Sequence, residues 1–309
     1  AFTGWTALSL LWTSSGTQTM LSVERTLVYV LAAAAAAAML RSASYRSLVW
    51  GVWAGATAVC GDGLLTRLLP ASLGVVDPIA GNRLEAPVGY WNGLGLLAAL
   101  AAVLAVGLAA RGRSPAARAL AAASLPVIVP TLYLTFSRGA WVALAAAIAV
   151  ALALAPWRLE LAVTLLVQGA IAAVALWLVE RAKAMREIGV PLDRQVQEGH
   201  RLLWQLPLGS GGAAAAAAAQ AIVARRGPVP RTARQAFAGA LVALLVACVA
   251  VVLVRYGGPS GVYRHARSSI EGVAPGGTDL NSRLFSLSSN GRLRQWHVAL
   301  DEWRAHRAL

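Results

Sequence analysis

Long apolar runs separated by short, arginine-bearing turns fill the first 254 positions of the chain. About nine such runs can be distinguished. They are Phe2–Trp12, Val23–Leu40, Ser47–Leu68, Tyr90–Ala110, Ala119–Phe136, Gly139–Ala155, Leu159–Val179, Leu208–Val223 and Phe237–Val254. The first reads as the tail of a helix, and the eighth is rich in small residues rather than strongly apolar. A hydrocarbon core about 30 Å thick is crossed by about 20 helical residues. The runs are Ala/Leu/Val blocks, without the segments of about ten residues alternating apolar and polar that mark a membrane barrel. The pattern predicts an all-α, polytopic integral membrane protein with about nine transmembrane helices in residues 1–254. Residues 255–309 form a polar tail, rich in Gly, Pro and Ser at first and helix-like after Asn290. The chain opens apolar and stops inside the helix-like "DEWRAHRAL", so it reads as a fragment clipped at both ends, with the tail truncated.

Length forces one boundary. A single helix from Ala119 to Ala155 would be about 55 Å long, nearly twice the hydrocarbon thickness. Split at Ser137-Arg138-Gly139, each half spans about 26 Å. Gly139 is expected to supply the backbone freedom of the turn. Arg138 then sits at a membrane surface, avoiding the roughly 2.5–3.5 kcal/mol penalty of the bilayer centre. Arginine-rich turns should be cytoplasmic. Those at 41–46, 111–118, 157–158 and 224–234 fall at alternate turns. The Arg138 turn, the 69–89 segment, a 180–207 loop and the tail then face outside.

Charge changes the list of partners. The net charge is +14, from 27 basic and 13 acidic residues, and Lys183 is the only lysine. Charged residues make up 13% of the chain, against about 25% in soluble domains. Because the basic residues lie between apolar runs, membrane lipids or an anionic lipid-linked substrate fit better than nucleic acid. Cys60 and Cys248 lie in apolar runs and read as small core residues. The Gly51/Gly55 and Gly89/Gly93 spacings suit close helix packing. No metal-ligand, Walker or dinucleotide motif is present, so no cofactor and no metal are expected. Carboxylates inside the runs are few, Asp62 being the clearest, and they form no proton path of the kind transporters carry.

Arginine on the outer face remains as candidate chemistry: Arg138 on its tight turn, and Arg283, Arg292 and Arg294 in the tail. A guanidinium is a planar, permanently charged fork suited to phosphate oxygens. The simpler reading of each is an interfacial anchor that snorkels to lipid head groups.

Several stretches resemble one family. "TFSRGAWVALA" (135–145) is similar to the signature turn of the O-antigen ligase/polymerase family of bacterial membrane proteins. "APVGYWNGLGLLAAL" (86–100) resembles its Gly-Tyr-x-Asn helix entrance, and "RLFSLSSNGRLRQWHVALDEW" (283–303) its external-loop pattern. "SVERTLVYVLA" (22–32) fits its early helices. The resemblance implies transfer of a glycan from an undecaprenyl-diphosphate carrier to an acceptor sugar or envelope polymer, on the outer face of the bacterial cytoplasmic membrane. It implies that Arg138 and Arg292 hold the diphosphate, with Arg283 a third candidate, and that Tyr90 and Asn92 shape the cavity wall. Two guanidiniums on the departing diphosphate would stabilise its growing charge without a metal, and direct attack of the acceptor hydroxyl on the anomeric carbon would invert it. The family's base is a histidine beyond the last residue here; His200, His265, His297 and His306 do not occupy its motif, so no catalytic base is assigned. A transporter or flippase-like protein, or a non-catalytic remnant of the fold, are the rival readings.

Overall fold

The computed structural model describes residues 2–42, 45–74, 81–224, 253–255, 257–271, 280–284 and 292–305, with single positions at 232, 239 and 250. Within that set every element is a helix: α1 (Phe2–Leu8), α2 (Gly16–Ser42), α3 (Tyr45–Leu68), the single-turn α4 (Pro70–Leu73), α5 (Trp91–Arg111), α6 (Pro115–Ala123), α7 (Leu125–Leu134), α8 (Arg138–Leu154), α9 (Arg158–Arg181), α10 (Leu192–Val223), α11 (Pro259–Glu271), α12 (Asn281–Leu284) and α13 (Arg292–Ala305). Six spans are long and apolar enough to cross a membrane: Gly16–Ala38, Tyr45–Leu68, Trp91–Arg111, Pro115–Leu134, Arg158–Arg181 and Leu192–Val223. Phe2–Leu11 and Arg138–Leu154 are apolar but shorter. The expected count of nine is therefore corrected to six among the described residues, and the ninth run, Phe237–Val254, lies almost wholly outside them. The chain is an all-α, multi-pass membrane protein.

Residues Ala1–Gly55 form one compact unit and Ala56–Leu309 another. In the first, α1 packs on α2, and Trp5 meets Trp12 edge to face at 5.8 Å. Leu27, Val28, Tyr29 and Leu31 are all exposed on α2. A helix apolar on every side belongs in lipid rather than water.

In the second unit α5 is central, packing on α6, α7, α8 and α9. Its inner surface is mostly alanine: Ala98, Ala101, Ala102, Ala105 and Ala109 are buried. Lipid tails are as apolar as leucine, so helices associate here through close backbone approach, and small residues permit it. The same logic explains the weak eighth run. Ala213, Ala217 and Ala221 lie at intervals of four, so they share one face of α10, and all are buried as α10 packs on α6 and α9. In the middle of that contact Gln168 is fully buried and donates its amide to Ala213 O at 3.3 Å.

α6 and α7 make one span broken at Ser124. Pro126 and Pro130 cannot donate to the helical ladder. Side-chain hydroxyls serve the backbone there, as lipid requires. Ser124 Oγ donates to Ala121 O (2.7 Å). Thr131 Oγ1 donates to Val127 O (2.8 Å) and across to Cys60 O (3.0 Å) on α3. Cys60 is fully buried, as expected of a small core residue.

Two sequence expectations need correction. The 180–207 loop is shorter, because α10 begins at Leu192; the linker is 182–191. Gly51 and Gly55 have open space where a Cβ would stand, and Gly89 sits in a turn at φ 73°. The close approach falls instead at Gly199, where a Cβ would run into the Leu68 carbonyl oxygen. Asp62, the clearest carboxylate inside the apolar runs, is exposed on α3.

Helix directions give this unit two distinct ends. Arg111 at the end of α5 pairs with Glu160 at the start of α9 (2.9 Å), with the arginine-rich 112–118 turn beside them. The opposite end gathers the start of α5, the α7–α8 turn and the end of α9. The alternation of turns expected from charge holds for these segments. Because the α3–α10 contact leaves no room at Gly199, Gly199→Leu should destabilise by about 1–3 kcal/mol. Gly211→Leu, where nothing stands within 4 Å, should change stability little. Thermal unfolding in detergent, with the two compared side by side, measures the difference.

Candidate functional site

The end of the bundle opposite Arg111 is held by a half-buried arginine that carries no motif. Arg67, in the last turn of α3, donates through Nη1 to Asn82 Oδ1 and through Nη2 to Asn82 O at 2.6 Å. Asn82 then donates its Nδ2 to Glu187 O at 2.7 Å. One asparagine thus ties the 81–90 loop to α3 and to the 182–191 linker. Next along, Leu84 N donates to Leu134 O (2.8 Å), pinning the loop to the end of α7. Leu84 and Leu134 join Leu94, Met185, Leu202 and Leu280 in a buried apolar cluster beneath.

Above this floor the α7–α8 turn forms as its length required. Ser137 is the N-cap of α8, accepting from Ala140 N at 3.4 Å. Capping satisfies one of the donors a helix start leaves open. The residue that takes the left-handed conformation is Phe136, at φ 49°, not Gly139, which lies inside α8. A bulky side chain at positive φ is strained; here it is held by burial and by a ring contact with Tyr133 at 5.2 Å. Gly95 of α5 lets the turn approach: a Cβ there would lie 2.9 Å from Ser137 Cβ and 2.9 Å from Thr135 Oγ1.

A hydrogen-bonded chain crosses the turn. Ser137 Oγ donates to Asn92 Oδ1 (2.8 Å), and Asn92 Nδ2 donates to the Tyr90 hydroxyl (2.8 Å). Tyr90 and Asn92 line a crevice of about 530 Å³ with Arg138, Ser137 and Arg83. Gln295 of α13 lines it too. Arg83 was not singled out by the sequence. Its guanidinium lies 4.7 Å from the centre of the Trp91 ring, a cation–π contact that presets its orientation. A lone arginine in a Gly/Pro-flanked loop gives no periodic signal; only its neighbour Asn82 hints at a structured loop.

Arg138 also lines a second cavity, of about 630 Å³, walled by Trp141, Val142, Leu176 and Leu284, with Glu180 and Asn281 at its polar points. Glu180 pairs with Arg186 at 3.5 Å. The tail returns to this end: Leu280 is buried, its N–H donates to Arg186 O (3.3 Å), and Tyr133 OH donates to Asn281 Oδ1 (2.6 Å). Arg283 lies on α12, between two residues of this second cavity, and Arg292 opens α13, three positions before Gln295. Their side chains fall outside the described structure.

Chemically, the arrangement suits an anion. Arg138 is the first residue of α8, where the helix dipole presents positive charge and a cation is unfavourable by itself. An anion at this point would interact favourably with the dipole and with two guanidiniums. No group of His, Cys, Asp or Glu able to hold a metal ion occurs among the described residues. No family model matches the chain, and neither do curated proteins or solved structures.

The Ser137–Asn92 bond should appear as thermodynamic coupling. Ser137→Ala is expected to cost about 1 kcal/mol through the lost cap. The double variant with Asn92→Ala should fall short of the sum of the singles by about 1 kcal/mol, as residues sharing a hydrogen bond do. Chemical denaturation of the four proteins tests it, and strict additivity would contradict the arrangement.

Proposed function

We propose that this protein acts on an anionic, lipid-linked glycan at the membrane surface. In this reading it transfers the glycan from an undecaprenyl-diphosphate carrier to an acceptor sugar or envelope polymer, as the O-antigen ligase-like stretches at 86–100, 135–145 and 283–303 suggest. The observation that carries the proposal is the double position of Arg138. It borders both a polar crevice with Arg83, Tyr90 and Asn92 and an apolar cavity with Trp141, Val142 and Leu176. A polyprenyl-diphosphate sugar has the same three parts in the same order. Its chain suits the apolar cavity, its diphosphate the guanidiniums, and its glycan the polar crevice.

Breaking the sugar–phosphate bond releases a diphosphate anion. Arg138 and Arg83 would stabilise the charge that develops on it, a stabilisation worth about 10²–10³ in rate per well-placed donor. The tail arginines Arg292 and Arg283 would close over the same anion from α13 and α12. The active face would be extracytoplasmic, opposite the Arg111–Arg118 end that the charge bias assigns to the cytoplasm.

The test is a reconstitution of the protein with a lipid-diphosphate oligosaccharide and an acceptor. Free undecaprenyl diphosphate should appear. Arg138→Lys should lower kcat by about 100-fold, because the ammonium cannot replace the bidentate fork, while the fold survives. Arg83→Gln should lose activity in the same range. Full transfer by Arg138→Ala would overturn the site, and movement of intact lipid across the bilayer without cleavage would overturn the reaction in favour of transport.

A further inference from the structure

A further cavity lies at the opposite end of this unit from Arg138 and has no part in the proposed transfer. Its volume is about 740 Å³, within the usual range of ligand sites. Arg111, Arg113 and Arg118 stand at its mouth, and Glu160 is the single carboxylate among its lining residues. Three positive charges against one leave an excess of two. Arg111 is bound to Glu160 (2.9 Å) and Arg118 donates Nε to Gly112 O (3.0 Å), so both are fixed by the protein itself. Arg113 is exposed and makes no ion pair among the described residues.

Below the mouth the walls turn apolar. Val163 and Val167 on α9, with Ala219 and Val223 on α10, line the space. From Glu160 to Val167 the helix descends about 10 Å, from the charged rim to mostly apolar walls in which Thr164 and Gln220 are the polar residues. A free phosphate would use only the rim. A molecule with a negative head and hydrocarbon behind it would use the whole site.

We infer that the cavity between the 111–118 turn, α9 and α10 is a binding site for an anionic glycerophospholipid, its phosphate held at Arg113 and its acyl chains against Val163, Val167 and Ala219. Basic pockets between membrane helices on the cytoplasmic side bind anionic lipid head groups for the same electrostatic reason. The inference is independent of any transfer activity, since none of these residues lies at the Arg138 end.

The experiment is native mass spectrometry of the whole protein released from detergent micelles carrying phosphatidylglycerol or phosphatidylcholine. Wild type should retain phosphatidylglycerol preferentially. Arg113→Gln, which breaks no ion pair among the described residues, should weaken that retention roughly fivefold, as expected for one basic side chain near an anionic head group. Ala219→Phe, which fills the apolar wall, should also weaken it. Glycerol 3-phosphate, which has the head group without the chains, should not compete. Equal retention of the two lipids, unchanged retention in Arg113→Gln, or full competition by glycerol 3-phosphate would each overturn the inference.

Discussion

The clasp between Arg67 and Asn82 is the constraint on which the candidate site depends. A guanidinium inside a membrane bundle is costly unless its donors are satisfied. Here two of them are satisfied by the side-chain and backbone oxygens of a single asparagine, and that asparagine donates onward to Glu187 O. The 81–90 loop is thereby fixed to α3 on one side and to the 182–191 linker on the other. Arg83 and Tyr90 are carried on that loop, and Trp91 and Asn92 follow it directly. Loss of the clasp would release the loop from α3 and from the linker and so loosen the position of Arg83 relative to Arg138, leaving the Leu84–Leu134 bond to hold the loop to α7.

Packing below the clasp follows from the poverty of large side chains. Alanine faces on α5 and α10 let the helices come close, and polar groups within the bundle are used for specific links: Thr131 to Cys60 O, and Gln168 to Ala213 O. Many larger apolar residues are left outside, among them Leu166, Val174, Trp177 and Leu208, while others form the buried cluster around Leu94 and Met185. This inside-out distribution is what a hydrocarbon solvent favours, because nothing is gained by hiding leucine from lipid. The rigid frame has charged rims at both ends, with unlike contents. One is a polar crevice beside an apolar cavity, joined at Arg138. The other is an arginine-rimmed cavity that is apolar beneath.

Much of this was legible from the chain alone, and the exceptions have identifiable causes. The break at Ser137 followed from length, and the structure starts α8 at Arg138. The turn residue was misread because glycine is the usual left-handed residue, whereas burial and ring packing hold Phe136 there. The start of α10 was missed because "LDRQVQEGHRLLWQLP" is too polar to read as membrane helix. Its inner positions Gly199, Leu202 and Leu206 nevertheless keep helical spacing, and all are buried. The count of nine included two runs that are short and one that lies almost wholly outside the described residues. Arg67, Asn82 and Arg83 were invisible because isolated polar residues near a loop carry no periodicity; only the fold reveals which of them meet. For Arg138, Tyr90 and Asn92 the sequence named residues that do share a crevice.

Binding of a short prenyl diphosphate to wild type and to Arg138→Gln, with the matching prenol as control, tests the central claim most directly. The account predicts that wild type holds the diphosphate, that Arg138→Gln weakens binding by about tenfold or more, as loss of a charge-assisted bidentate contact should, and that the prenol binds weakly to both. Equal affinity of the two proteins for the diphosphate, or of wild type for diphosphate and prenol, would contradict it.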